Sequence, residues 1–222
     1  MNGQLYIVAT PIGNLGDITL RALDTLKSVD FILCEDTRVT KNLLNHYQIN
    51  RPLISYHQHS DARKVREISD LLSAGKNLAL VTDAGTPGIS DPGNLLINHL
   101  TIQQFNNFIP IPGPSALISA LSISGFPTDK FVFMGFPPHK NKRQKYFKEV
   151  AAQEYTVVFY ESGHRIKKCL QELNALLSPD RQIIVARELT KQFETIYRGT
   201  IASVVEKMTD ERGEFVVVVN AK

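Results

Sequence analysis

Apolar residues in the first half of the chain fall in short runs, and segments of helical periodicity lie between them. The strand-like runs cover residues 5–10, 31–35, 52–57, 77–83 and 108–112. The helical patterns lie at about 20–29, 38–48, 62–75 and 92–103. Because strands that alternate with helices at this spacing form βαβ units, the pattern predicts an α/β domain with a mostly parallel five-stranded sheet.

The second half has the same kinds of element in a different arrangement. A cluster of three prolines and one glycine at 110–114 marks a domain boundary, which gives an N-terminal domain 1–112 and a C-terminal domain 113–222. Further strand-like runs cover 131–136, 156–162, 182–188, 195–200 and 214–220, and helical patterns lie near 142–153, 163–177 and 201–209. The short connection at Leu189–Glu194 allows antiparallel pairing, so we predict a mixed sheet in this α/β domain.

The segment Asp83–Gly93 follows the fourth strand-like run and holds three Gly and two Pro. Gly lets a backbone approach a ligand closely and Pro fixes φ, so the segment is typical of a rigid loop that presents main-chain groups. Two similar loops, Thr10–Thr19 and Ile111–Ala116, follow the first and fifth runs, although each alone also fits a plain turn or linker. Together they predict a ligand crevice at the domain junction, because open α/β sheets bind ligands at the carboxyl ends of their strands.

The composition of these loops narrows the class of ligand. They have neither the G-x-G-x-x-G spacing of dinucleotide-binding proteins nor the Gly-Lys-Ser/Thr of a P-loop. They also contain no Lys or Arg that would neutralise a phosphate. A ligand with an amino-acid part and an adenine is therefore favoured over a triphosphate.

Two charged segments each have two interpretations. Glu35–Arg38 is either an acidic helix cap with a local ion pair or part of a site. The tract Pro137–Lys148 either binds RNA through phosphate contacts and base stacking, or is a solvated helix start whose Tyr146 and Phe147 face the core. Residues 139–168 contain eight Lys or Arg against three Asp or Glu, which fits a polyanionic partner.

The composition is that of a soluble globular protein, with 43% hydrophobic and 21% charged residues. No apolar segment reaches the length of a membrane span, and the N-terminus lacks the basic and apolar regions of a signal peptide. Cys34 and Cys169 are far apart in the sequence, so we expect reduced core cysteines rather than a metal site. We therefore expect a cytoplasmic protein with no membrane partner.

These motifs together resemble those of the tetrapyrrole methylase superfamily, and within it the bacterial 16S rRNA (cytidine-2′-O)-methyltransferase family. The resemblance is carried by the motifs Tyr6–Thr19, Glu35–Arg38, Asp83–Gly93, Pro112–Ser115, Phe159–Ser162 and Ala186–Lys191. It implies a two-domain homodimer that binds S-adenosylmethionine in the cleft between its domains. It also implies methylation of a cytidine ribose in small-subunit rRNA, within the assembled small ribosomal subunit.

The resemblance assigns cofactor contacts to residues of both domains. These residues are Pro11, Ile12, Gly85, Thr86, Pro87, Ile89, Ser115, Ala116, Tyr160, Ala186 and Glu188. The basic second half supplies the predicted RNA contacts, which are Lys140, Lys142, Arg143, Lys145 and Arg165.

For the chemistry, Asp36 is the first candidate for the general base that takes the proton of the 2′-hydroxyl. Arg38 would orient Asp36 or hold a phosphate, and Lys191 is the alternative base if burial lowers its pKa. Asp83 and Asp91 are expected to organise their loop, because methyl transfer from a sulfonium requires no metal.

Other functions remain compatible with the residues alone. They are a methylase of the same superfamily that acts on a tetrapyrrole or a protein side chain, a non-catalytic nucleotide-binding module, and a metal-dependent phosphohydrolase using Asp36, Asp83 and Asp91. Members of the rRNA family usually continue past the last strand with a basic extension, whereas this sequence ends at Lys222. That difference bears on RNA affinity more than on cofactor binding.

Overall fold

The computed structural model describes residues 3–58 and 60–222. They form two compact units, of which the first ends at Ser115 and the second begins at Ala116. None of the described helices combines the length and the apolar character that crossing a membrane requires.

The first unit is built on a parallel sheet. Its elements are β1 (Leu5–Val8), a 3-10 turn (Leu15–Asp17), α1 (Leu20–Ser28), β2 (Phe31–Cys34), α2 (Thr37–His46), β3 (Leu53–Ser55), α3 (Ala62–Ser73), β4 (Leu78–Leu80), α4 (Gly93–Ile102) and β5 (Phe108–Ile111). The strands lie in the order β3-β2-β4-β1-β5, and every neighbouring pair is parallel. The predicted five-stranded parallel sheet is confirmed.

Both faces of this sheet are covered, which explains the continuous apolar runs in its strands. Successive residues of a strand point to opposite faces, so Leu33 of β2 packs in one core cluster and Ile32 in the other. Leu72 of α3 belongs to the cluster of Leu33, and Leu26 of α1 belongs to the cluster of Ile32. All four side chains are fully buried.

The second unit is built on a mixed sheet. Its elements are α5 (Ala116–Ser122), β6 (Phe131–Phe133), α6 (Arg143–Ala152), β7 (Thr156–Ser162), α7 (Gly163–Asn174), β8 (Gln182–Arg187), β9 (Thr195–Thr200), α8 (Ile201–Lys207) and β10 (Glu214–Val219). The order is β6-β7-β10-β8-β9, in which only β6 and β7 pair in parallel within the described residues. The predicted mixed sheet and the antiparallel pairing of β8 with β9 are confirmed.

The core of the second unit shows whether the aromatic residues of the basic tract, Tyr146 and Phe147, face RNA or the protein interior. Tyr146 and Phe147 lie on α6 and pack in the same apolar cluster as Phe159 of β7 and Val217 of β10. The Phe147 and Phe159 rings are 6.5 Å apart between centroids. The core interpretation of the two α6 aromatics is therefore confirmed, and the alternative that they stack on RNA bases is wrong because both are buried.

Candidate functional site

The loops after β1 and β4 are joined by a pair of backbone hydrogen bonds. The amide of Thr10 donates to the carbonyl of Gly85 at 2.9 Å, and the amide of Gly85 donates to the carbonyl of Thr10 at 3.1 Å. The buried hydroxyl of Thr10 also donates to the carbonyl of Thr82 at 3.0 Å. β1 and β4 therefore end at residues 8 and 80, before the ends of their apolar runs, and the chain beyond them forms this bridge.

The loop after β5 joins the same assembly. The Thr86 hydroxyl donates to the carbonyl of Pro114 at 3.2 Å, and the Ala9 amide donates to the carbonyl of Ile111 at 3.2 Å. A β-carbon at Gly113 would lie only 3.0 Å from that of Ala9. Three loops that are far apart in the sequence thus form one interlocked structure at the carboxyl edge of the sheet.

The backbone conformation at the centre of this structure favours glycine at position 85. Its φ of +84° is in the region that side-chain-bearing residues rarely adopt. A β-carbon there would make ordinary van der Waals contacts, 3.4 Å from the Cγ2 of Ile12 and 3.8 Å from the carbonyl oxygen of Pro114, which shows how closely the three loops approach. Gly85 therefore allows this loop to pack closely against the loops after β1 and β5.

The acids of the Asp83–Gly93 loop accept hydrogen bonds from backbone amides. Asp91 accepts hydrogen bonds from the amides of Gly88 and Gly93, at 2.8 and 2.7 Å. Asp83 accepts one from the amide of Asp36 at 3.2 Å, which links this loop to the end of β2. The prediction that these acids organise their loop is confirmed for Asp91 by its hydrogen bonds, whereas Asp83 bonds to a residue outside the loop.

Asp36 is the N-cap of α2 and forms an ion pair with Arg38. Its carboxylate accepts hydrogen bonds from the Arg38 amide at 2.8 Å and from the guanidinium Nη2 at 2.6 Å. The side-chain and backbone hydrogen bonds from Arg38 lower the pKa of Asp36 from 3.8 to about 2. The structure therefore contains the cap and ion pair of the first interpretation, and a catalytic role for Asp36 stays a prediction.

Acidic groups dominate this edge of the sheet. Burial, and then the charges of Asp83 and Asp91, raise the pKa of Glu35. Burial also raises the pKa of Asp83. The described residues contain no group of three or more His, Cys, Asp or Glu placed to hold a metal ion.

These features of the first unit fit S-adenosylmethionine, the ligand that the resemblance implies. The small side chains of the three loops suit a methionine and an adenosine moiety, and nearby carboxylates favour a sulfonium cation. The predicted contacts of this unit all lie on these loops: Pro11, Ile12, Gly85, Thr86, Pro87, Ile89 and Ser115. The structure therefore brings them to one edge of one sheet.

In the second unit, the predicted contacts Tyr160 and Ala186 share a row of the sheet. Val216 of β10 pairs with Tyr160 on one side and with Ala186 on the other, so the three lie on one face. Tyr160 packs its ring against Phe133 at 5.1 Å and Phe136 at 5.3 Å between centroids. Ala186 is almost fully buried, while Tyr160 is half-buried. Ala116, also in the predicted set, is the first residue of α5.

Glu188 and Lys191 lie in a strained turn after β8. Glu188 and Thr190 have φ values of +52° and +67°, which is uncommon for residues with side chains. The Lys191 ammonium donates to Glu188 at 2.9 Å and to Glu214 at 2.8 Å. Burial acts to lower the pKa of Lys191, but these hydrogen bonds outweigh it and the pKa is raised. The condition for Lys191 as a base, a pKa lowered by burial, is not met.

The predicted RNA-binding residues divide into two groups. Lys140, Lys142 and Lys145 are exposed, as a phosphate contact requires. Arg143 is only 5% exposed and pairs with Glu172 at 2.7 Å, so its prediction as a surface RNA contact is wrong. Arg165 is less deeply buried, but its charge is also paired within the unit.

The partner of both arginines, Glu161, is a residue that the sequence analysis missed. Its carboxylate is fully buried, 2.8 Å from Arg165 and 3.5 Å from Arg143. One signal in the sequence could have identified it: Glu161 is a single acid directly after five apolar or β-branched residues, Thr156–Tyr160. A charged group in such a strand is buried only when it is paired, so this position indicates a buried ion pair.

Comparison with known proteins identifies the relatives of this chain. Residues 4–205 match the family model of the Tetrapyrrole (Corrin/Porphyrin) Methylases. A protein of Synechocystis sp. named "Ribosomal RNA small subunit methyltransferase I" is 49% identical over 220 residues, which are 98% of this chain and 78% of that protein. A Thermotoga maritima protein of the same name is 42% identical over 222 residues and 99% of both chains.

Solved structures agree with the predicted fold class. The methyltransferase CobJ has a TM-score of 0.72 at 19% identity, over 99% of this chain and 94% of that chain. The cobalt precorrin-4 methyltransferase CbiF has a TM-score of 0.67 at 18% identity, over 98% of this chain and 94% of that chain. At these identities the similarity shows the fold alone.

The hydrogen bonds of Asp91 predict the effect of its removal. Asp91→Ala leaves the amides of Gly88 and Gly93 without their acceptor, so we expect a loss of about 1–3 kcal/mol in the free energy of unfolding. Urea unfolding measures this loss, and amide hydrogen exchange should accelerate at the two glycines. The matched control is Asp24→Ala on α1, which removes an exposed acid. Equal effects of the two variants would contradict the scaffolding role.

The Asp36–Arg38 pair predicts a titration. Arg38→Ala should raise the pKa of Asp36 from about 2 toward 3.8, as followed by carboxyl-carbon NMR. Because the folded-state pKa is depressed, the pair stabilises the fold above about pH 3.8 and loses its contribution as the pH falls through about 2. An Asp36 pKa that is unchanged in Arg38→Ala would refute this assignment.

Proposed function

The chain belongs to the tetrapyrrole methylase family, and we propose that it transfers a methyl group from S-adenosylmethionine to the 2′-hydroxyl of a cytidine ribose in small-subunit (16S) rRNA. The family uses S-adenosylmethionine as its methyl donor. The observation that carries the proposal is 42–49% identity, over nearly the whole chain, to proteins named as small-subunit rRNA methyltransferases. The ribose position and the base are the finer part of the proposal.

The interlocked loops of the first unit would hold the methyl donor. We assign contacts to the backbone of Gly85–Pro87 and to the side chains of Pro11, Ile12 and Ile89, with Ser115 at the end of the third loop. Tyr160, Ala186, Glu188 and Ala116 are the proposed contacts from the second unit. When bound, S-adenosylmethionine supplies a methyl group that its sulfonium has already activated.

The loops and the acids of this chain have separate roles in the proposed reaction. Because their backbones are fixed by hydrogen bonds between loops, the loops would orient the donor and exclude water without further reorganisation. The acidic edge around Glu35 and Asp83 would favour the positively charged donor over its neutral product.

Asp36 would accept the proton of the 2′-hydroxyl. With a pKa of about 2 its carboxylate is ionised at neutral pH and is held in one orientation by Arg38. A carboxylate of such low pKa is a weak base, so we expect a contribution at the low end of general-base catalysis, on the order of 10²-fold. The exposed side of the Arg38 guanidinium would contact an RNA phosphate.

The remaining proposals concern partners and location. Exposed Lys140, Lys142 and Lys145 would contact phosphates of the rRNA, within the assembled small ribosomal subunit. The family resemblance supports a homodimer, and an rRNA substrate supports a cytoplasmic enzyme.

The proposed function is tested by mapping ribose methylation in 16S rRNA. Small subunits from a strain that lacks this protein should be missing one 2′-O-methyl cytidine, and the purified protein with S-adenosylmethionine should restore it without added metal. Naked 16S rRNA is the comparison substrate, and it should not be methylated if the assembled subunit is required. Methylation of a base, a protein or a tetrapyrrole instead would contradict the proposal.

The role of Asp36 is tested by Asp36→Asn in single-turnover methylation. Asn still caps a helix, so we expect a loss on the order of 10²-fold in the methyl-transfer rate with little change in stability. Asp61→Asn is the matched control, because Asp61 also caps a helix, α3, and lies near the arginine two residues on, at 3.9 Å from Arg63, without a proposed role.

Lys191→Ala is measured in the same assay, and we expect no loss of a base there, because the raised pKa of Lys191 keeps its ammonium protonated. A normal rate in Asp36→Asn would exclude Asp36 as the base. Methylation that survives in both Asp36→Asn and Lys191→Ala would indicate catalysis by positioning alone.

A further inference from the structure

Glu161, near the end of β7, is a buried carboxylate for which the proposed reaction has no use. Its Oε1 lies 2.8 Å from Nη2 of Arg165, and its Oε2 lies 3.5 Å from Nη1 of Arg143. Glu172 accepts a hydrogen bond from Arg143 at 2.7 Å, so two acids balance two arginines. A buried charged group is costly unless it is paired, so the position of each guanidinium depends on these carboxylates.

Both arginines bind the same loop. Nη1 of Arg165 donates to the carbonyl of Pro137 at 3.1 Å, and Nη1 of Arg143 donates to the carbonyl of Pro138 at 3.1 Å. The loop ends at Lys142, whose φ of +66° is in the left-handed region directly before α6. The conformation of Phe136–Lys142, which we call the basic loop, is therefore fixed from inside the unit by two arginines, which pair with Glu161 and, in the case of Arg143, also with Glu172.

The basic loop presents groups that suit single-stranded RNA. Phe136 is 52% exposed, and its ring lies 5.3 Å from that of Tyr160 between centroids. Lys140 and Lys142 are exposed, and neither forms a salt bridge within residues 3–58 and 60–222. An exposed aromatic ring beside unpaired cations is the combination that stacks on an unpaired base and contacts the flanking phosphates.

We infer that Glu161 is a positioning residue for RNA recognition. It holds Arg143 and Arg165, and the two arginines shape the basic loop. The basic loop binds an unpaired base of the substrate on Phe136 and phosphates on its lysines. This inference rests on the proposed function. It assigns to the two arginines an internal role in place of a phosphate contact. The contact of Phe136 with Tyr160, a proposed donor contact, places the recognition loop beside the donor-binding residues of this unit.

The test is a double-mutant cycle between Glu161→Gln and the loop variant Lys140→Ala/Lys142→Ala. The dissociation constant for small ribosomal subunits is measured over a range of salt concentrations, and the dissociation constant for S-adenosylmethionine is measured by calorimetry. Each lysine that contacts a phosphate adds about one to the slope of log affinity against log salt, so the loop variant should lower the slope by about two.

Glu161→Gln keeps every lysine, yet it should also lower the salt slope and weaken subunit binding by on the order of 10-fold, because the lysines lose their positions. When Glu161→Gln is combined with the loop variant, the loss of affinity for small subunits should be no larger than that of the loop variant alone. The affinity for S-adenosylmethionine should stay within about twofold. If Glu161→Gln only caused a general loss of structure, the slope of log affinity against log salt would stay unchanged, and the loss of affinity would add to that of the loop variant. An unchanged slope or an additive loss would therefore overturn the inference.

Phe136→Ala should weaken subunit binding on the order of 10-fold without changing the salt slope, since stacking releases no counterions. Phe193→Ala, which removes an aromatic ring that is 65% exposed elsewhere in the unit, is the control for loss of exposed apolar surface. Lys168→Ala on α7 is the control for loss of an exposed charge. Equal effects of Phe136→Ala and Phe193→Ala would contradict the stacking role.

Thermal unfolding accompanies each variant. If Glu161→Gln does not fold, Arg165→Gln replaces it in the cycle, because it removes the contact with Pro137 and leaves the Glu161–Arg143 pair in place. The same non-additive pattern is then expected, and additive effects overturn the inference. If the wild-type protein methylates no small subunit, the proposed function itself is overturned. If the wild-type protein is active but the effects of the two variants on subunit binding add, only the positioning role of Glu161 is overturned.

Discussion

The two hydrogen bonds between the backbones of Thr10 and Gly85 are the constraint on which the candidate site depends. They join loops that leave strands β1 and β4, and the Thr86–Pro114 bond then adds the loop after β5. Because the links are made by backbone and by one hydroxyl, the assembly depends on close approach of main chains, which Gly85 and Gly113 permit. The surface that results is rigid before any ligand arrives, so the cost of ordering it is met during folding.

The sequence predicted the fold well because its signals are local. Alternation of apolar runs with amphipathic segments depends only on neighbouring residues, and the short connection before Thr195 allowed the antiparallel pair that the structure contains. The Gly- and Pro-rich loops were recognised as one site for a similar reason, since the carboxyl ends of parallel strands meet at one edge. The strand ends were placed too late, because the Thr10–Gly85 bridge joins residues that are 75 positions apart, and no local pattern records it.

The errors concern side chains whose surroundings come from distant parts of the chain. Arg143 belongs to a basic tract, and only its approach to Glu161 and Glu172 shows that it faces inward. Lys191 was an alternative base only if it had been buried without a partner, but Glu214 of β10 supplies one. In both cases the charge is evident from the sequence, while an acid that pairs with it lies more than 15 residues away, although Lys191 also has a near partner in Glu188. Pairing of charges across strands thus decides which cations are free to meet a substrate.

The position of β10 has a consequence for the synthesis of the protein. This strand is the last in the chain, yet it lies between β7 and β8 in the middle of its sheet. On the ribosome, the first unit can close as soon as residue 111 has emerged, because all five of its strands are then available. The second unit has no such early stage: until residues 214–219 emerge, β7 and the β8–β9 pair have no strand between them, and their backbone groups and apolar faces remain open to chaperones and to other nascent chains.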